Sequence, residues 1–243
     1  MRHSLFRHRP PKPVQNAGQT SGFTLVESLV AVIIVSITVV SVLPPIFWAT
    51  ATRVQNRRAE QAVQLAQGEI ERVRTLVERG NYTAADLPPT DGSTDLRATA
   101  TAPPATASGI IRSTTANCKS TNDAQQPTGV AQYIAMDTDP NNGCKPEFMV
   151  QVFRSVGTIP DGSAPGSPPS AFSMGVRVYA EPAFNSLKRG SVLDTKAARL
   201  RGSSGIGQQG TRPVAVLYGT VVRSRAGNAL GVYKKLCEQN KDC

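Results

Sequence analysis

Histidine is almost absent from this sequence, because its only two histidines are His3 and His8 at the extreme N-terminus. A Ser–His–Asp or Cys–His catalytic arrangement needs an imidazole base beside its nucleophile. The rest of the chain therefore cannot form either arrangement. The sequence also contains no recognisable Walker or dinucleotide-binding motif. We therefore expect a protein that is not an enzyme and that uses no cofactor and no metal.

Aromatic residues are scarce, at 5% of the 243 residues, whereas the chain contains 20 Gly and 18 Pro. Few large side chains and many turn-forming residues predict a limited hydrophobic core and long loops. The length suits one modest domain with additional segments.

Acidic residues are outnumbered, which gives the chain a net charge of +10 and a pI of about 9.8. Such a charge indicates an anionic partner, such as nucleic acid, acidic polysaccharide or lipid headgroups. The later basic residues are Lys188, Arg189, Lys196, Arg199, Arg201 and Arg212. No aromatic stacking partners are interleaved with them, so a solvated loop is favoured over a polymer-binding surface.

Charged residues are missing altogether from 28–52, a run of 25 positions that ends at Arg53. About 20 apolar residues suffice to cross a bilayer as a helix. The residues before the run are basic, with no acid in 1–22, so the N-terminus should stay cytoplasmic and the rest should be translocated. A plain signal anchor and a cleaved signal peptide, with a small-x-small site at 49–51, are alternatives, but a signal peptide usually has an apolar region of only about 7–15 residues.

Glu27 is a lone acid at the entrance to this apolar run. A carboxylate in lipid is costly and should have a partner. A cut before Phe23 would create a free amino group, which could be that partner in a neighbouring subunit.

The string Gly22-Phe23-Thr24-Leu25-Val26-Glu27-Ser28-Leu29 resembles the prepilin motif of type IV pilins and type II secretion pseudopilins. The resemblance implies removal of a leader, 1–22, by a membrane aspartyl peptidase that cuts after Gly22 and N-methylates Phe23. It implies that Glu27, the fifth residue of the mature chain, supports assembly. It also implies a helix kink near the membrane exit, where Pro44 is doubled by Pro45.

The same resemblance implies the partners and the location of the protein. The partners are the prepilin peptidase, other pilin or pseudopilin subunits, an inner-membrane assembly platform and membrane lipid. The protein would cross the inner membrane once, with its head periplasmic, and would then enter a pilus or pseudopilus filament. Segments 51–60, 66–74 and 213–218 are similar to a cyanobacterial pseudopilin group tied to polysaccharide secretion by gliding hormogonia, which implies a minor subunit.

Beyond the apolar run, small or apolar residues recur at helical spacing. They are Ala59, Ala62, Val63, Ala66, Ile70, Val73 and Val77. The opposite face carries charged residues, among them Glu69, and Gly80 is a stop signal. The pattern predicts one helix over 24–79, roughly 84 Å long, with a membrane half at 23–52 and an amphipathic half at 53–80. A coiled coil is the alternative, but Gly68 and the many alanines favour packing on a sheet.

Residues 81–243 are expected to form the head. Residues 83–109 are predicted to be a loop, and strands are predicted at 147–156, 174–180 and 214–223. Residues 157–170 form a connecting loop, and 182–212 a basic, Gly-rich loop with a short helical turn near 195–200. The expected fold is α+β, with the long helix packed on a small antiparallel sheet in a pilin-like roll.

The cysteines Cys118, Cys144, Cys237 and Cys243 all lie in the head. An even number there predicts disulfides in an oxidising compartment, and a zinc site would need closer pairs than these, which have 25 and 5 intervening residues. We expect Cys118–Cys144 and Cys237–Cys243. The alternative is a Cys144–Cys237 bridge, as C-terminal disulfides form in many pilins, with Cys118 joined to Cys243.

The segment Asp137-Thr138-Asp139-Pro140-Asn141 begins like a calcium-binding loop. However, Asn142 stands where such loops have Gly, and Phe148 where they have a bidentate Glu. A plain Asx turn is therefore the favoured interpretation.

Overall fold

A computed structural model describes residues 24–99, 101–119, 125–199, 207–225 and 228–239, without the side chains of 45–52. The chain divides into two compact units, Met1–Ile46 and Phe47–Cys243. The predicted leader, 1–22, and the cleavage site at Gly22 and Phe23 lie outside the described residues.

Helix α1 covers Leu25–Arg79, which confirms the predicted helix, and it contributes to both units. Thr24 caps its start, because its hydroxyl oxygen accepts a hydrogen bond from the Glu27 N–H at 3.2 Å. Gly80 ends it at φ +77°, a conformation that glycine adopts without steric cost. The helix includes Pro44 and Pro45, which lie beside the boundary between the units, and the expected kink there stays a prediction.

The sheet of the second unit has five strands in the order β1-β2-β3-β4-β5. The strands are β1 Thr106–Ser113, β2 Gln132–Asp137, β3 Phe148–Arg154, β4 Ala171–Ala180 and β5 Ala215–Val222. The three strands expected from sequence correspond to β3, β4 and β5, which pair antiparallel. The loop at 155–170 joins β3 to β4, as expected.

Two strands were missed, and they change the class of the sheet. β1 pairs parallel with β2, so the sheet is mixed and the expectation of a purely antiparallel sheet is wrong. Residues 106–109 were expected to be loop but belong to β1. β1 contains Gly109 at φ +78° and its register shifts between Ala107 and Ile111, so it lacks the regular alternation that signals a strand.

The main core lies between α1 and one face of the sheet. The α1 residues buried there are Ala62, Ala66, Ile70, Val73 and Val77. They pack with sheet residues such as Val150, Val152, Val176 and Val178, which confirms sheet packing over a coiled coil. Val63, which was placed on the same stripe, is instead 36% exposed.

Two short helices complete the second unit. α2, Glu181–Lys188, follows β4 directly, and α3, Ala229–Gln239, packs Val232 and Leu236 near Ala171. The expectation that 182–212 is loop is therefore wrong for α2, where Pro182 in the first turn supplies a helix-compatible φ. The helical turn expected near 195–200 is also wrong, because the described residues 195–199 form a bend and irregular chain.

Candidate functional site

The apolar part of α1, Leu25–Pro44, has a mean hydropathy of 2.5 and all of its side chains are exposed. Its hydroxyls are satisfied internally: Ser36, Thr38 and Ser41 each donate to the carbonyl oxygen four residues earlier at 2.7–2.8 Å. A hydroxyl bonded in this way leaves no open donor toward a hydrocarbon environment. In the described part of the chain, this helix alone is long and apolar enough to cross a membrane, as an anchor or as a signal sequence.

Glu27 lies in the first turn of α1, two residues after its first residue, and is exposed. Its N–H is bonded to Thr24, but the described residues contain no hydrogen-bond or ion-pair partner for its carboxylate. A carboxylate at a helix N-terminus interacts favourably with the helix dipole. The lone acid thus stands at one end of a 20-residue apolar surface.

Glu69 is 4% exposed, so its expected place on the solvent face of α1 is wrong. Its carboxylate pairs with Arg72 at 3.0 Å and with Arg112 on β1. Burial holds the pKa of Arg72 below its ordinary value. Arg112 also donates to the Gln125 carbonyl at 3.2 Å, so this cluster joins α1 to β1 and to the segment before β2.

Glu78 joins the end of α1 to the turn after β5. Its carboxylate accepts hydrogen bonds from the N–H and the hydroxyl of Ser224, both at 2.9 Å. These bonds hold the pKa of Glu78 below its ordinary value, because they favour the charged carboxylate.

On the sheet face away from α1, Gln151 and Arg177 are direct cross-strand partners and both are buried. Gln151 donates to the carbonyls of Ala102 and Val130 at 2.7 and 2.6 Å. Arg177 donates to the Thr101 carbonyl at 3.0 Å and to Gln151 at 3.2 Å. This polar pair holds the chain near residue 102 over the sheet. The only sign of this role in the sequence is that each residue is a polar one within a largely apolar strand.

The disulfide Cys118–Cys144 is present, with the two Cα atoms 5.3 Å apart, which confirms the first expected pair. The two Sγ atoms and a carboxylate oxygen of the buried Asp137 all lie within 4.8 Å of one another. The sulfurs are bonded to each other, however, so they are not free thiolates that could bind zinc. Cys237 is also disulfide-bonded. Cys243 lies outside the described residues, so the pair Cys237–Cys243 stays a prediction.

The segment that begins like a calcium loop is organised by intramolecular hydrogen bonds. Asp139 accepts from the Asn141 N–H at 2.9 Å, which is an Asx turn. Glu147 accepts from the N–H of Thr138 at 2.7 Å and from its hydroxyl at 3.1 Å. Asp137 is buried and accepts from the Ser113 hydroxyl at 2.7 Å. This geometry agrees with the favoured turn interpretation.

The basic residues of the head are distributed over several elements. Lys188 ends α2 and Arg189 follows as its C-cap, where a positive charge suits the helix dipole. Arg212 forms an ion pair with Asp194 at 2.9 Å, and Arg201 lies outside the described residues. The pKa of Asp194 is lowered, first by a hydrogen bond from the Lys196 N–H. The expected solvated loop is therefore partly ordered by its own contacts.

The described residues of the second unit form concave surfaces, among them a groove and a smaller polar pocket. A groove of about 520 Å³ lies between α2 and the outer face of β1 and β2, with Tyr133 and Phe184 in edge-to-face contact at 5.7 Å. A smaller pocket of about 240 Å³ lies beside Gly80 and Arg223. Comparisons with family models, with curated proteins and with solved structures find no match for this chain.

Proposed function

We propose that this protein is a type IV pilin-like subunit, a pseudopilin or minor pilin, that is anchored by Leu25–Pro44 and assembled into a filament. One observation carries the proposal: Glu27, whose carboxylate has no partner among the described residues, stands in the first turn of a helix whose side chains are exposed throughout Leu25–Pro44. A simple anchor or signal sequence has no use for an acid at that position.

The chemistry of the proposed assembly follows from this carboxylate. Cleavage after Gly22 would leave Phe23 with a free α-amino group, four residues before Glu27. When apolar helices pack against each other and exclude water, an acid and an amine from neighbouring subunits attract strongly and satisfy each other. The pair would also set the axial register, because it forms only when one helix is displaced along its neighbour.

The second unit has the features expected of an exported head. Its disulfide Cys118–Cys144 is of the kind that persists in oxidising compartments. The amphipathic part of α1 is held on the sheet by an apolar core and by the Glu69–Arg112 ion pair. Such a head can be exposed on a filament while the apolar part of the helix packs with other subunits.

Intact-mass analysis of the membrane form tests the proposal. We expect a mature chain that begins at Phe23 and carries one added methyl group. A bulky replacement, Gly22→Trp, should block cleavage and leave the leader attached. A mature start at Thr52 or Arg53 would show that the segment is a signal peptide, and an intact start at Met1 would show an unprocessed anchor.

A second candidate is a minor pilin whose basic head binds DNA or another anionic polymer. The net charge favours it, because removal of the four basic residues of 1–22 from the total of +10 still leaves +6. Binding of DNA that weakens steeply with added salt would support this candidate. Loss of exported polysaccharide on deletion of the gene, with pili intact, would instead support a secretion pseudopilus, as the resemblance to the polysaccharide-secretion group implies.

A further inference from the structure

A polar pocket of about 240 Å³ lies where the end of α1 meets the loop between β3 and β4. Its polar walls are Tyr82, Ser163, Ser167, Ser170 and Arg223, with Gly80 between them. Two long-range hydrogen bonds hold the walls together: Arg223 N–H donates to the Ser170 carbonyl at 2.8 Å, and Tyr82 donates to the Pro169 carbonyl at 3.0 Å. The pocket is therefore built by residues far apart in the sequence.

The guanidinium of Arg223 lies directly against Gly80. A Cβ at Gly80 would overlap this group, so a larger residue there would displace the Arg223 side chain from its present position. The Nε of Arg223 is buried without a hydrogen-bond partner, and no ion pair joins Arg223 to any described residue. Glu78, two residues before Gly80 at the end of α1, is already bonded to Ser224. The pocket thus contains a guanidinium whose charge has no intramolecular acceptor among the described residues.

Ser170 supplies a second unsatisfied group. The residue is 4% exposed, and its hydroxyl has no hydrogen-bond partner in the part of the chain that the structure describes. The hydroxyl of Ser167 already donates to the Ala164 carbonyl at 2.7 Å, so Ser170 rather than Ser167 can donate to a bound group. A buried donor without a partner is costly, and its presence beside an unpaired cation indicates a missing acceptor.

We propose that this pocket binds a small oxyanion, a carboxylate or sulfate group. A guanidinium and the unsatisfied hydroxyl of Ser170 at one cavity are the chemistry that recognises such a group, and arginine does so with two parallel hydrogen bonds. The volume exceeds that of a water molecule, about 30 Å³ in the liquid, by a wide margin but is below the range of drug-sized sites. It fits a free anion or one acidic sugar unit, and it is too small for a duplex.

A structural role for Arg223 is the competing explanation, because a positive charge near the C-terminus of α1 would stabilise the helix dipole. That role predicts an effect of mutation on stability alone. The proposed site predicts an effect on anion binding as well, so a binding measurement separates the two. The inference concerns only the second unit and does not rest on filament assembly.

The test is calorimetric titration of the full chain in detergent with sodium sulfate, sodium glucuronate and neutral glucose at constant ionic strength. We expect saturable binding of at least one anion and none of glucose. Arg223→Gln should weaken binding about tenfold or more, because it removes a charged hydrogen-bond donor, and Ser170→Ala should weaken it less. Arg57→Gln, which removes an exposed arginine of α1, is the matched control and should bind as the wild type does.

The two anions distinguish the source of the ligand. Binding of glucuronate over sulfate would assign an acidic sugar, and the reverse would assign a free inorganic anion. Absence of binding by the wild type, or equal binding by wild type and Arg223→Gln, would overturn the proposal. If Arg223→Gln does not fold, Arg223→Lys and Ser170→Ala replace it as the test of the site. Both variants must then weaken anion binding, and unchanged binding by both would overturn the proposal. Normal processing to Phe23 would stand independently of either result.

Discussion

Glu69 shows how a single residue can depart from helical periodicity. The pattern placed it with the charged face of α1, yet it is 4% exposed and pairs with both Arg72 and Arg112. Its burial becomes favourable only because β1 brings Arg112 to it from 43 residues away. A buried carboxylate is tolerated when it is paired and hydrogen-bonded. The helix alone supplies Arg72 as one partner, but it shows neither the burial of Glu69 nor its second partner, Arg112.

Replacing Glu69 with Ala should therefore be strongly destabilising, because it leaves two largely buried guanidiniums without an acid. We expect the free energy of unfolding to fall by about 3 kcal/mol. Glu71→Ala is the matched control: its pair with Arg74 is exposed, so the loss should be within about 1 kcal/mol. Denaturant unfolding measures the free energy of unfolding of both variants. Similar losses would show that the buried cluster stabilises the protein no more than an exposed ion pair does.

Glu27 carries the proposed assembly function, and Glu27→Ala should leave the protein cleaved and in the membrane but poorly assembled. Removal of an unpaired acid makes insertion easier, whereas it deletes the proposed partner of the Phe23 amine. Fractionation of sheared filaments from membranes measures assembly, with Glu60→Ala, an exposed acid later in α1, as the control. Normal assembly of the Glu27 variant would count strongly against its role.

At the scale of elements, the residues that surround a glycine determine whether it stabilises or destabilises the fold. Gly68 lies within α1, and a Cβ there would meet nothing within 4 Å. Gly175 lies within β4, directly opposite Phe153 on β3, and a Cβ there would overlap the Phe153 ring. Sequence patterns treat both as weak points of their elements, but only β3 makes the second glycine necessary.

Replacing these two glycines with alanine should change the free energy of unfolding in opposite directions. Gly68→Ala should raise the free energy of unfolding by about 0.5–1 kcal/mol, because alanine has the better helix propensity. Gly175→Ala should lower it by about 1–3 kcal/mol, because the added methyl overpacks the sheet against Phe153. Thermal unfolding of the two variants side by side checks the signs. A stabilising Gly175→Ala would show that the aromatic ring moves freely.

For the whole molecule, the disulfides decide how the long loops are constrained. Cys118–Cys144 closes the chain from the turn after β1 to the loop before β3. The enclosed residues include β2 but little other regular structure among those described. A crosslink of this length stabilises mainly by restricting the unfolded chain.

Replacing Cys118 with Ser should lower the free energy of unfolding by about 3–4 kcal/mol on the chain-entropy model. Cys237→Ser, which would open the shorter predicted loop, should cost less, about 2–3 kcal/mol. Non-reducing peptide mapping after trypsin cleavage at Lys119 and Lys241 checks the connectivity. A peptide that links Cys118 to Cys243 would contradict both pairs, and four free thiols in protein from its native envelope would contradict the oxidising compartment.

Local patterns by themselves determined much of this protein. The apolar run, the start of α1 at Thr24 and its end at Gly80 follow from hydrophobicity, capping and glycine chemistry, which act over a few residues. The antiparallel strands β3, β4 and β5 follow from their β-branched and aromatic composition. The pairing Cys118–Cys144 was also expected, from its turn-rich loop.

Only the tertiary structure decided the features that join distant residues. The parallel pairing of β1 with β2 depends on a crossover, and neither strand has a strong pattern of its own. The buried pairs of Glu69 with Arg112 and of Gln151 with Arg177 need two elements each. The pocket of Arg223 exists because α1, the loop before β4 and the end of β5 converge at Gly80. Periodicity reports which face of an element is buried, but it carries no information on which partner buries it.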